Sequence, residues 1–393
     1  MLYYFLLFKK LYKRVEMAEY TNYHDIDQDQ LQKDIEEIRD NIGAATIEDF
    51  NHLLKVERWG RIAAFIGYAT AWIPGINIIS AFLISTGNVT RWANVAHPVL
   101  HGAYDKVPGV PFRYTKKGFA QGHWRRFLDW TDWIYPKAWD MEHNKMHHYH
   151  LGEKDDPDNV ELNMYWLTES KIPMPLRYVI VLFFTTVWKP AYYAPNTLKI
   201  LENLKKRKLK LPEQESFLRL DAFNPMTEDG KSLWTKFYLP YFILRFVLLP
   251  LPFLLISQEA FFSVLFASVL AEFITNVHSF TVIVPNHSAG DIYRFTEPHK
   301  TQGEFYLRQI MGSVNYKTGS DINDFGHGWL NYQIEHHLFP NLPLSQYQKM
   351  QPLVKEVCEK HGLEYRQESV FKRAYMTIEL MVGKTKNLTV DHI

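Results

Sequence analysis

The residues in this chain with chemistry-bearing spacing are histidines. His143-Asn-Lys-Met-His147-His148 follows the pattern H-x-x-x-H-H, and the acidic turn Asp155-Asp156-Pro157-Asp158 comes shortly after it. Read as an α-helix, the segment puts His143 and His147 on one face and turns His148 away by about 100°. Neutral imidazole is a good ligand for iron, copper, nickel or zinc. Two more clusters stand elsewhere: His97 with His101, and His336-His337 with Gln333 three and four positions earlier. His287 follows an apolar run in Val-Pro-Asn-His-Ser-Ala-Gly-Asp. At this histidine frequency chance supplies about 0.7 H-x-x-x-H pairs but only about 0.03 H-x-x-x-H-H triplets. The middle cluster is therefore informative by itself, whereas His97/His101 gains weight only from its company.

Other chemistries lack their residues. The single cysteine, Cys358, excludes an internal disulfide and any cysteine-based zinc or iron–sulfur site. No H-E-x-x-H, phosphate-cradling loop or nucleophile elbow occurs. A net charge of +1 without a basic stripe predicts no nucleic-acid partner. Eight imidazoles exceed what one zinc or one haem takes from a protein, whereas two six-coordinate irons use them and keep positions open for oxygen. The remaining histidines carry less. His150 points to the far side of a helix bearing His148, and His278, inside an apolar run, reads more readily as a hydrogen-bonded bundle residue than as a ligand. His24, His52, His123, His299, His361 and His392 read as surface residues, and His327 as part of a turn or a support.

The elements that must position these groups are apolar stretches. Ile62 to Thr86 carries no charge and is broken by Pro74-Gly75, long enough for one tilted span or a re-entrant hairpin. Tyr178 to Tyr193 is interrupted by Lys189-Pro190 and is expected to enter and return, or to lie in the interface, ahead of the alternative of a full span. The Lys/Arg-rich stretch Leu204 to Leu211 marks a cytoplasmic side. Phe237–Ile256 and Ala260–Pro285, joined by Ser257-Gln258-Glu259, form the clearest spans. Within them Arg245 is expected to face protein, and Glu272, Asn276 and His278 are polar company at depth. Every histidine cluster lies just outside an apolar stretch, on one predicted side. Residues 1–60 form a polar N-terminal region with an amphipathic, solvated helix near Gln28 to Asp40; its apolar start, Met1 to Phe8, is too short for a signal sequence, and Met17 is an alternative start. Residues 61–365 form the main domain, with a cap helix over Ser345 to Glu364, and 366–393 a C-terminal tail.

The clusters together resemble the membrane-bound fatty acyl desaturase superfamily. Gln333-Ile-Glu-His336-His337-Leu-Phe-Pro340 is similar to the third histidine box of front-end desaturases, where glutamine replaces the first histidine. The likeness extends through Pro-Asn286-His287, the Asp155–Asp158 turn, Leu342-Pro343 and Cys358-Glu-Lys-His-Gly362. It implies an all-α integral membrane protein, about four spans under a helical cytosolic cap. It implies di-iron ligands at His97, His101, His143, His147, His148, His287, His336 and His337, with Gln333 lining the catalytic site. It further implies O2 as co-substrate and a fatty acyl substrate linked to a lipid or a soluble carrier. The multi-pass protein would face the cytoplasm from a bacterial inner membrane or the endoplasmic reticulum. Residues 1–60 contain no His-Pro-Gly-Gly haem motif, so a separate cytochrome b5 or ferredoxin is expected to donate electrons. Two other readings stand beside it: a hydroxylase or ketolase on the same scaffold, and a metal-handling membrane protein without catalysis.

Overall fold

A computed structural model describes residues 23–210 and 220–390, so the apolar start and Met17 lie outside the described residues. Helix α1 (Gln28–Ile42) buries Leu31, Ile35 and Ile38 and leaves its polar face to solvent. The amphipathic expectation holds there, with the apolar stripe packed into the cap rather than solvated. Thr46 opens helix α2 (Ile47–Thr70) with a capping box: its hydroxyl accepts the Asp49 N–H, and the Asp49 carboxylate accepts the Thr46 N–H.

Small residues let α2 and helix α3 (Asn77–Val89) touch backbone to backbone. A Cβ on Gly60 would meet the Thr90 side chain at 2.5 Å, and one on Gly87 would meet Ala64 Cβ at 2.5 Å. This is the small-residue packing that membrane helices use in place of a hydrophobic driving force. The Pro74-Gly75 break is thus the turn of a helical hairpin. Beyond α3 the chain widens into a π-helical turn, Thr90–Ala96, before the short helix His97–Leu100. Pro98 lacks an N–H and crowds the preceding turn, and a wider turn ahead of it relieves both problems. Pro190 lies within a similar turn, Lys189–Tyr193, and Pro240 follows another, Trp234–Tyr238.

Helix α4 (Met174–Trp188) runs through the Lys189–Tyr193 turn directly into helix α5 (Ala194–Lys208). No reversal occurs, which removes the enter-and-return reading of Tyr178 to Tyr193. Both ends of that stretch touch residues outside the apolar base: Tyr178 OH donates to Glu379 at 3.0 Å and Tyr193 OH to Glu142 at 3.0 Å. The outer face, with Leu176, Val179, Leu182 and Phe183, stays exposed. That arrangement fits the interfacial alternative.

Among the described residues, two helical segments are long and apolar enough to cross a membrane: Glu228–Leu255 and Gln258–Asn286. They coincide with the two spans read from the sequence. Arg245 does face protein: its Nε lies 3.5 Å from Glu272 and its guanidinium over the Tyr68 ring. Glu272 also accepts from Trp133 Nε1 at 2.9 Å and from the Tyr241 hydroxyl. Phe65, Phe82, Leu248, Leu255 and Phe266 form part of a belt of exposed large apolar side chains around this base. So large an apolar exterior is foreign to a protein surrounded by water.

Over the base sit the histidine segments, the helix Leu344–Lys360 and the helix Val370–Met381. Two short parallel strand pairs staple the last part of the chain down: Tyr293–Phe295 with Leu388–Val390, and Asn315–Tyr316 with Gln367–Glu368. Arg373, fully buried, donates to both carboxylate oxygens of Asp291 at 2.7 Å and to the Pro285 carbonyl at 3.1 Å. It clamps the segment that carries His287.

Base and site segments are joined by a buried ion pair. Lys189 Nζ lies 2.5 Å from Asp132 Oδ2 and 4.4 Å from the centre of the Trp92 ring, with both charged side chains almost wholly buried. Replacing one partner of such a pair strands the other. Asp132→Ala is expected to cost about 3–5 kcal/mol, read as a lowered unfolding transition in detergent, while Asp132→Leu with Lys189→Met recovers most of the loss.

Candidate metal centre

The eight histidines singled out in the sequence converge. Ligand nitrogens of His97, His101, His143, His148 and His336 all lie within 4.8 Å of one another, and those of His147, His287 and His337 form a second such group. The backbone of the middle cluster decides how they divide. His143–His147 is a π-helical turn, in which the His148 N–H donates to the His143 carbonyl at 3.2 Å. The widened turn brings His148 back over His143, with their Nε2 atoms 3.2 Å apart. His147 goes to the other group, beside His287 and His337 at ring-centre distances of 4.7 and 5.1 Å. The α-helical expectation holds for one pair and fails for the other: His143 and His147 stay stacked, 5.4 Å between ring centres and grouped with Asp158, whereas His148, expected to turn aside, comes back over His143. The cause is the wide turn, which shifts the partner by one residue.

The donor set fits metal ions. His97 Nε2 stands 3.0 Å from His143 Nε2 and 3.2 Å from His101 Nε2. Nitrogens bound at right angles to one ion, each ~2.1 Å from it, are separated by ~3 Å. The Nε2 atoms of His147, His336 and His337 are buried without a hydrogen-bond partner, a state that proteins rarely tolerate without a water or an ion. Their opposite nitrogens are held. His147 Nδ1–H donates to Asp156 Oδ1 at 2.9 Å, His337 Nδ1–H to Gln309 Oε1 at 2.9 Å, and His336 Nδ1 meets the Tyr347 hydroxyl at 3.1 Å. Such partners fix the tautomer and aim the free lone pair.

Electrostatics keep most of these rings neutral. Burial, then the neighbouring imidazoles, pushes His101, His143, His148, His336 and His337 well below the ordinary histidine value. Burial likewise lowers His97 to about 3 and, with His147 and Arg373 adding to it, takes His287 well down. His147 differs: burial opposes its charge, but Asp156, by charge and hydrogen bond, and Asp158 together raise it. Seven rings are thus poised as neutral ligands, and the eighth is polarised by a carboxylate.

Both groups look onto one apolar cavity of about 300 Å³, reached by His97, His143 and His336 from the first group and His287 from the second. Its walls are largely aromatic and aliphatic, including Trp92, Phe184, Trp188 and Phe280. Gln333 lines it too, with Oε1 accepting from Asn286 Nδ2 at 2.8 Å. A second cavity of about 490 Å³, with Arg39, Lys106 and Lys116 on its walls, reaches His101 from another side.

The discounted histidines whose side chains are described join neither group, and His392 lies outside the described residues. His150 and His299 both bond Glu153, His361 bonds Asp34, and His327 Nδ1 meets the Asn323 carbonyl. His278 Nε2 meets the Gly326 carbonyl at 2.7 Å. The supports were harder to see. Asp156 sits within the acidic turn and had a sequence signal without an assigned role; the turn folds on it, since Asp156 also accepts from the Gly152 and Asp158 N–H groups. Asn286 likewise stood in the Pro-Asn286-His287 motif without an assigned role, whereas Gln309 and Tyr347 carried no signal, because they lie 28 and 11 positions from the histidines they hold.

Removing a support of this kind weakens metal binding about 10–100-fold. Asp156→Asn is expected to do so, read by competition with a chelator, whereas His150→Ala leaves metal content unchanged. A metal affinity untouched by Asp156→Asn would detach the acidic turn from the centre.

Comparison with known proteins agrees with the site. The chain is 25% identical over 307 residues to an NADPH-dependent stearoyl-CoA 9-desaturase of Mycobacterium tuberculosis, covering 75% of this chain and 63% of the relative. It is 24% identical over 318 residues to Delta(5) fatty acid desaturase A of Dictyostelium discoideum, covering 77% and 62%. A shorter match, 38% over 96 residues, covers 24% of this chain and 20% of Delta(8)-fatty-acid desaturase 1 of Arabidopsis thaliana. The chain thus spans less than two thirds of the length of these relatives. The family model described as fatty acid desaturase matches residues 70–369, a stretch that holds all eight histidines, and the chain belongs to the fatty acid desaturase family.

Proposed function

We propose that this chain is an O2-dependent oxidoreductase that introduces a cis double bond into a fatty acyl chain. The observation that carries the reading is the shared apolar cavity: two converging histidine groups face a single hydrocarbon-lined space. His97, His101, His143, His148 and His336 would hold one iron, and His147, His287 and His337 the other. Bound there, the two irons would supply the oxidising power that removing hydrogen from unactivated methylenes requires.

The residues of the chain do the rest. Asp156, Gln309 and Tyr347 hold the outer nitrogens of His147, His337 and His336, which keeps the inward lone pairs aimed. The aromatic walls exclude water and fix which carbons lie near the histidines, the positional control on which regiochemistry depends. Gln333 and Asn286 brace each other at the cavity wall, where Gln333 takes a catalytic-site position. The base is a multi-pass one of about four spans: the α2–α3 hairpin and the two long apolar segments. The cap over it faces the cytoplasm, the side of the Lys205–Lys210 run. Residues 61–365 form the desaturase unit, and a cytochrome b5 or a ferredoxin delivers two electrons per turnover.

Two measurements test this. Purified protein is expected to carry about two irons per chain, and a single zinc would overturn the assignment. Expression in a host without polyunsaturated lipids is expected to yield a new double bond, seen by chromatography of fatty acid esters, and lost in His147→Ala and His336→Ala variants that remain in the membrane. A hydroxylated product would instead select the hydroxylase reading.

A further inference from the structure

The first histidine group has two sides. His97, His143 and His336 reach the apolar cavity, whereas His101 lines the second cavity of about 490 Å³ and not the first. The walls of that second cavity come from the cap: the end of α1 with the loop 43–45, the turn 101–106, and the start of the helix Leu344–Lys360. Among the described residues, none of the α2–α3 hairpin or of the two long apolar segments lines it. Asp105 and Lys106 on its walls are exposed, so it opens to solvent. Beside them stand Arg39 and the amides of Asn341 and Gln346, the donors and acceptors that water needs. Lys116 pairs with Asp140 at 3.0 Å, while Asp40 and Asp105 offset Arg39 and Lys106. The walls therefore hold charge without an excess of either sign.

Desaturation makes an aqueous route necessary. Dioxygen takes two hydrogens from adjacent methylenes, two electrons from the donor protein and two protons from solvent, and ends as two molecules of water. Neither protons nor water travel readily through a space walled by aromatic and aliphatic side chains. We propose that the second cavity is the aqueous port of the centre: protons enter and water leaves past His101, while the acyl chain occupies the opposite side of the same histidine group. The proposal rests on the desaturase reading and deepens it, dividing one metal group between a hydrocarbon side and a water side.

The test uses the iron-loaded full chain in lipid nanodiscs and thiol tags placed by methanethiosulfonate reagents. The single cysteine, Cys358, is buried, so an introduced cysteine dominates the labelling. Ala45→Cys, on the wall of the second cavity, is expected to label with a water-soluble, membrane-impermeant reagent. A bulky tag there slows the rise of the azide-to-iron charge-transfer band about tenfold, with iron content unchanged. A methylthio tag at the same cysteine leaves the rate as it was, so the size of the plug is what acts. The bulky tag on Phe183→Cys, at the exposed edge of the apolar cavity, also leaves it unchanged. An unlabelled Ala45→Cys chain, an azide rate indifferent to the plug, or equal slowing from Phe183→Cys would each overturn the port. Two irons per chain with any of those results leave the desaturase reading standing. A chain that takes up no iron overturns that reading and the port with it.

Discussion

The constraint on which the rest depends is the burial of eight imidazoles with their lone pairs turned toward one another. Such rings cannot satisfy themselves: two neutral imidazoles share at most one proton, and a charged one would be stranded in a dry interior. Burial accordingly drives most of them to the neutral form, and each outward nitrogen that has a partner takes it from a different part of the chain. Asp156 comes from the turn after the middle cluster, Gln309 from the helix Gln302–Met311, and Tyr347 from the helix Leu344–Lys360. The cap can be understood as the set of elements needed to bring those partners in.

Wide helical turns are the second part of that solution. A strict α-helix through His143 to His148 would leave His148 off the face shared by His143 and His147. The π-turn instead sends His148 to one group and His147 to the other, so six consecutive residues feed both. At Pro98 and Pro190 the same geometry absorbs prolines that a regular helix would tolerate poorly. Near Lys189 the turn also places a lysine against Asp132 and its backbone N–H against Asn276 Oδ1 at 3.0 Å, locking α4 to the long helix Gln258–Ile283.

The base and the site share a boundary rather than a core. His97 follows the α2–α3 hairpin after the Thr90–Ala96 turn, and His287 follows the second long apolar helix. The apolar cavity between them takes its walls from both layers, with Trp92 and Phe280 from the helices below and Leu330 and Gln333 from the segment above. That cavity meets histidine side chains on its inner wall, and Phe183 and Trp166 stay exposed at its rim.

By itself the sequence marked the eight histidines that converge, the mostly helical character, which the two short strand pairs cut back from all-α, and the two longest apolar segments. It did so because H-x-x-x-H-H is rare by chance and because an apolar run of span length, with almost no charge in it, matches the thickness of a bilayer's hydrocarbon layer. It also marked the Asp155–Asp158 turn without assigning it a role. Only the tertiary structure decided which histidine joins which group, since that depends on a single extra residue in one helical turn, which no spacing rule registers. It alone supplied Gln309, Tyr347 and Arg373, and the role of Asn286, whose partners are long-range and whose residue types are ordinary. It also decided the course of Tyr178 to Tyr193: hydropathy shows that a segment is apolar, but only its contacts with Glu379 and Glu142 at the two ends show that it runs beneath the cap without turning back.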